Sequence, residues 1–182
     1  MLTRLITATV LMLGLAASGS AAQEREDLQI FRDISNEVLR YSRFTIFDSV
    51  HASVDEGVVT LTGKVTMPFK RTDIGTRVAK VGGVREVHNR LEVLPVSIGD
   101  DELRHRIARS IYGNSAFWHY ASMASPPIHI VVEHGRVTLE GVVNSHVERM
   151  LARSLATTFG AFSVTNNLRT DAEVRADLEG MH

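Results

Sequence analysis

Apolar residues along this chain change period in a fixed order, and the order occurs twice. Phe31, Ile34, Val38 and Tyr41 recur at steps of three and four, which predicts a helix. Val50, Ala52 and Val54 then alternate with polar residues. After the turn Asp55-Glu56-Gly57, Val59, Leu61, Gly63 and Val65 alternate again, predicting a hairpin with one buried face. Pro68 fits a first helical turn, where its missing N–H costs nothing, and Ile74, Val78 and Val81 form a stripe that ends at Gly82-Gly83. A last strand over 84–93 closes the unit.

The second passage follows the same course. Leu103, Ile107, Ala108 and Ile111 mark a helix with Asp100, Asp101 and Glu102 at its N-terminus, where the helix dipole favours anions, and Gly113 at its end. Ile128, Ile130 and Val132 lead to the turn Glu133-His134-Gly135, followed by Val137, Leu139, Gly141 and Val143. Ser145-His146-Val147-Glu148 reads as a capping box, after which Val147, Met150, Leu151, Leu155 and Phe159 line one helical face up to Gly160. A strand over 161–168 completes the copy.

Direct alignment shows a duplication. GVVTLTGKV at 57–65 and GRVTLEGVV at 135–143 share six of nine residues at an offset of 78. The predicted fold class is therefore α+β: two tandem α-β-β-α-β units, each a three-stranded mixed sheet covered on one face by two helices. The second and third strands of each unit are joined through a helix, so that pair is expected to be parallel with a right-handed crossover. Gly63 and Gly141 lie on inward positions, where a helix backbone or bulky side chain is expected to pass close.

The 182 residues divide into 1–22, 23–96, 97–172 and a tail, 173–182, of weak helical spacing and net negative charge. Residues 1–22 read as a secretory signal peptide: Arg4, a 13-residue apolar run to Ala17, and small residues before Gln23. A spanning helix needs about 20 apolar residues, so an uncleaved anchor is the lesser reading. Twenty basic against 21 acidic residues speak against a nucleic-acid partner. The absence of cysteine excludes disulfides, thiol nucleophiles and a lipidated N-terminal cysteine. Together these predict a periplasmic protein.

The glycine-turn strands at 57–65 and 135–143, with the closing segment GGVREVHNRLEV at 82–93 and its weaker counterpart GAFSVTNNL at 160–168, resemble the BON domain (bacterial OsmY and nodulation), present twice in an OsmY-like layout. The resemblance covers nearly all of the chain after the leader. It implies a non-enzymatic envelope protein concerned with envelope integrity and osmotic or stress tolerance, and in some members contact with anionic phospholipid.

Copy two carries five extra residues within 113–127, a segment holding the single tryptophan. Phe117, Trp118 and Tyr120, beside a helix bearing Arg104, Arg106 and Arg109, form a candidate lipid-binding patch, since rings sit at headgroup depth and arginines attract anionic lipid. Two other readings stand beside it: the loop folds its aromatics over the core, or it forms a protein interface. His51 and His129 take equivalent strand positions and are expected to be exposed. No histidine has the helical partner a metal site favours, so neither metal nor cofactor is expected. No nucleophile elbow, phosphate loop or repeated acid pair points to catalysis, and Asn89 and Asn166, at matched positions, are expected to make local backbone hydrogen bonds. The resemblance thus implies an anionic phospholipid surface or an envelope protein as the partner. The alternative function is a periplasmic chaperone or assembly adaptor holding polypeptide on exposed sheet edges.

Overall fold

The computed structural model describes residues 16–157 and 160–179. The first fifteen residues of the predicted leader, and Phe159, lie outside them. The elements run α1 (Ala16–Leu39), β1 (Ser49–Asp55), β2 (Val58–Val65), α2 (Pro68–Val78), β3 (Glu86–Asn89) and β4 (Glu92–Val93) in the first unit. The second comprises α3 (Ile98–Tyr112), a 3-10 turn (Ser115–Phe117), α4 (Trp118–Ala121), β5 (Ile128–Glu133), β6 (Arg136–Val143), α5 (His146–Ala156) and β7 (Ser163–Thr170), followed by α6 (Asp171–Glu179).

Each sheet has its second strand at the centre. β1 pairs antiparallel with β2, and β2 parallel with β3 and β4. β5 and β6 are likewise antiparallel, and β6 and β7 parallel. The two units are thus the predicted α+β repeats, with the third strand of the first interrupted between Asn89 and Glu92. The matched asparagines make the expected local backbone bonds through Oδ1, and also long-range ones through Nδ2. Asn89 Nδ2 donates to Arg71 O at 2.7 Å and Asn166 Nδ2 to Arg149 O at 2.9 Å. Their Oδ1 atoms accept from the N–H of Leu91 and of Leu168, two residues on, so a strand at the sheet edge keeps fewer free donors.

Two separate cores result. In the first, Ile30, Ile34, Val38 and Tyr41 of the α1 region cover Val59, Leu61, Val65, Ile74, Val78 and Leu91. In the second, Leu103, Ile107 and Ile111 of α3 cover Ile128, Ile130, Val137, Leu139, Ala152 and Ala156. The periodicity misassigns three residues. Phe31 is exposed and Ile30 takes its core position, while on α5 Val147 and Met150 face solvent and the buried residues are Ala152 and Ala156. Ala152 and Ala156 form the inward face of α5 together with the partly buried Leu151 and Leu155, and the helical period puts Val147 and Met150 on its outer side.

Helix and turn chemistry is otherwise close to expectation. Ser145 caps α5 by accepting from Glu148 N at 3.2 Å, whereas Glu148 reaches back to Asn144 N at 3.0 Å, one residue upstream of the reciprocal box partner. The reading of Gly63 and Gly141 needs correction. Their φ values are +118° and +119°, and a Cβ would strike the carbonyl oxygens of Ser49 and Pro127 on the paired strand segment. It is the hairpin's own backbone that excludes a side chain there, and no helix is involved.

Candidate functional site

The structure separates the predicted lipid set into buried and exposed members. Arg104 is 4% exposed: its guanidinium donates to Val132 O at 3.2 Å and pairs with Asp101 at 2.9 Å, tying α3 to β5. Phe117 is fully buried in the second core, and Tyr120 is 3% exposed. These three are therefore corrected from surface to structural residues. For Phe117 and Tyr120 the cause is the insertion, which turns back so that both rings join the second core; Arg104 is held inside by its own bonds to β5 and Asp101.

Tyr120 also closes a polar problem. Its hydroxyl donates to Glu148 at 2.7 Å and accepts from Asn144 N at 2.8 Å, capping the turn between β6 and α5. Burial, reinforced by Glu148, pushes its pKa up to about 12. At the matched turn of the first unit, Thr66 N donates at 2.8 Å to Asp48, which pairs with Lys70 at 2.6 Å. Burial pushes Asp48 upward, but Lys70, the Thr66 N–H and Thr45 outweigh it and hold the carboxyl below its ordinary range. Lys70 and Glu148 occupy the same repeat position with opposite charge. After duplication, one unit satisfies this turn with an ion pair and the other with a tyrosine.

Trp118, Arg106 and Arg109 remain at the surface. Trp118 is 64% exposed and donates from its indole to Gly113 O at 3.3 Å, which seats it at the C-terminal end of α3. Gly113 N in turn donates to Arg109 O, so the ring lies just beyond the turn that carries Arg109. Arg106 and Arg109 share an exposed face of α3 with Ile98, Glu102 and His105. Met123, also exposed, follows one turn after Trp118.

A second cluster lies where the two units meet. Ile130 N of β5 donates to Ile46 O at 2.6 Å, so the free edge of β5 is occupied by a segment of the first unit. Phe44 packs on His129 with ring centroids 5.3 Å apart, and Phe47 meets His105 edge-on at 4.8 Å. Glu140 of β6 accepts from His51 Nε2 at 2.8 Å and from Ser49, and Lys64 of β2 pairs with Glu133 of β5. The histidines were expected to be equally exposed, and they are not. His51 keeps 60% of its side chain exposed, whereas His129 is half-buried, with its Nδ1 shut off from solvent and without a hydrogen-bond partner among the described residues. Sequence reasoning missed this seam because Phe44, Ile46 and Phe47 lie between periodic segments, where no pattern assigns them a face.

Among the described residues, no group of three or more His, Asp or Glu side chains is placed to hold a metal, and no helix is long and apolar enough to cross a membrane.

Comparison with known proteins agrees with the duplicated architecture. The family described as BON domain matches residues 27–95 and again 100–172. No curated protein gives a significant sequence match. A solved structure of CdsD, a structural protein of the type III secretion system of Chlamydia trachomatis, aligns at 13% identity and a TM-score of 0.31, covering 85% of this chain and 99% of that one. A structure of the CdsD C-terminal domain aligns at 13% identity and a TM-score of 0.32, covering 78% and 65%. Likeness at that level carries no functional weight. The two family matches span most of the sequence, and the chain belongs to the BON domain family.

Proposed function

We propose that this BON-domain chain is a non-enzymatic periplasmic protein that binds the anionic phospholipid of the bacterial envelope through its second repeat, and so supports envelope integrity under stress. The contact surface is the exposed end of α3, with Trp118 and Met123 entering the headgroup layer and Arg106 and Arg109 meeting lipid phosphates.

One observation carries this reading. The insertion that distinguishes the second repeat buries Phe117 and Tyr120 yet leaves the chain's single tryptophan 64% exposed at the arginine-bearing end of α3. A tryptophan presents a large apolar body and a polar N–H, which suits the membrane–water boundary. The rival reading, polypeptide capture on a sheet edge, has less support: Ile46 already covers β5, and Asn89 and Asn166 cap donors on the outer strands.

The test is flotation of the chain with vesicles of pure phosphatidylcholine and of phosphatidylcholine mixed with phosphatidylglycerol. Binding is expected only to the mixed vesicles. An arginine near an anionic surface contributes about 1 kcal/mol, so the double substitution R106E/R109E should weaken binding by at least about thirtyfold. Binding that ignores lipid charge would remove the proposal.

A further inference from the structure

The seam between the repeats places two histidines from one ancestral position in opposite environments. His51 on β1 faces Ser49 of its own strand and Glu140 of β6 across the seam, its Nε2 2.8 Å from the carboxylate. Glu140 also accepts from Ser49 and is further engaged by Asn167 of β7. His129 on β5 lies beneath Phe44, with Nδ1 buried and unpartnered among the described residues. Its neighbours are the backbone of Thr45 and Asp48, with Glu140 and the Asp48 carboxylate in its field. Lys64 of β2 bridges Glu133 of β5 and Glu92 of β4 at 3.5 Å from the latter, and Asp48 is held by Lys70.

We propose that His51 and His129 make this seam a pH-gated latch, closed in a window near the ordinary histidine value and loosened on both sides of it.

The two limbs follow from which protonation state each site accepts. Cationic His51 completes the bond to Glu140, and deprotonation leaves that carboxylate facing a neutral ring. His129 favours the neutral ring in the closed seam, because its Nδ1 is shut off from water beneath Phe44 and makes no hydrogen bond among the described residues, and the nearby backbone of Thr45 and Asp48 only partly offsets the loss of water that a cation would suffer. Hydrogen bonding to Glu140 raises the pKa of His51, and burial lowers that of His129.

The signs are opposite. For His51 the raised closed-state value means its contribution is complete below the ordinary pKa of about 6.5 and is lost as pH rises through the raised value. For His129 the depressed closed-state value means the closed seam is favoured above about 6.5 and penalised as pH falls toward the depressed value. Closure is therefore greatest near pH 6.5, with His51 supplying the alkaline limb and His129 the acid limb. Glu140, held below its ordinary value mainly by His51, adds a further loss only at more acid pH.

The chain has no native cysteine, so spin labels at R32C and S154C, exposed positions on the two units, report their separation directly. The full chain is measured from pH 5 to pH 9, with protection of the Ile130 amide, which bonds Ile46 across the seam, as a second readout. The compact population should peak near pH 6.5, and the closed-to-open ratio should fall on each side by roughly three- to tenfold. H51Q should abolish the alkaline limb alone and H129Q the acid limb alone, with circular dichroism showing both units folded throughout. A distance distribution independent of pH, or limbs unchanged in the two variants, would overturn the latch. Should H129Q lose its native spectrum, H51Q still decides: an unaltered alkaline limb in that variant refutes the proposal.

Discussion

Asp100 Oδ1 accepts the backbone N–H of Gly135 at 2.8 Å, fastening the first turn of α3 to the hairpin between β5 and β6. Its other oxygen takes His134 N at the same distance. Asp27 repeats the arrangement in the first unit, binding Glu56 N and Gly57 N at 2.9 Å. The turns need this support. Glu56 and His134 both have left-handed backbones, at φ +48° and +51°, where asparagine or glycine is the ordinary occupant. Each aspartate gathers both donors of a turn that the sequence alone makes unfavourable.

Replacing Asp100 by alanine should therefore cost the second unit about 2–3 kcal/mol, since two hydrogen bonds to a charged acceptor are lost together. Urea unfolding followed by Trp118 fluorescence measures this in the correct unit. H134N should move stability the other way, by a few tenths of a kcal/mol, because asparagine tolerates the left-handed conformation. A loss below about 0.5 kcal/mol in D100A would mean that the turn stands without its clamp.

Lys70 offers a prediction with a pH signature. Its side chain and that of Asp48 are 6% and 0% exposed, so K70M leaves a buried carboxylate without its cation and should cost about 3–5 kcal/mol near neutrality. In the native chain Asp48 is held below its ordinary value. Its stabilising contribution is therefore complete above about pH 4 and is lost as pH falls through the depressed folded value. In K70M the buried carboxyl favours its neutral form, and the penalty should shrink as pH drops toward 4. Denaturation midpoints at pH 7 and pH 4 check this, and an equal penalty at both values would contradict the assignment.

Gly141 and Gly99 make a matched pair of substitutions. G141A forces a side chain onto φ +119° and against Pro127 O, and should cost about 2–4 kcal/mol. Gly99 lies in the first turn of α3 with open space around it, so G99A should stabilise by a few tenths to about 1 kcal/mol. Thermal unfolding of the two variants should shift in opposite directions.

Much of the fold was legible because duplication supplies its own control. The hairpins, the parallel closing strands and the asparagines all follow from comparing one half with the other. The Asp27–Asp100 correspondence was available by the same means: each stands three residues before a core position, Ile30 or Leu103, at a helix offset of 73. Reading Asp100 only as a dipole charge hid it. The candidate site was less legible. A run such as Phe117-Trp118-His119-Tyr120 has no period, so nothing in it tells which ring turns inward; that is decided by the hole left at the end of the second core. The seam was invisible for the complementary reason: Glu140 reads as a polar strand residue until the other unit's His51 lies against it.

The membrane reading turns on Trp118, which is exposed beside a neighbour, Phe117, that is fully buried. Tryptophan fluorescence of the full chain, titrated with vesicles containing phosphatidylglycerol, reports on that residue alone, since the sequence has no other tryptophan. The account predicts a blue shift and shielding from aqueous quencher with anionic vesicles, neither change with phosphatidylcholine, and loss of both in R106E/R109E. An emission maximum that stays at its solvent-exposed position while the protein floats with anionic vesicles would place the contact elsewhere and contradict it.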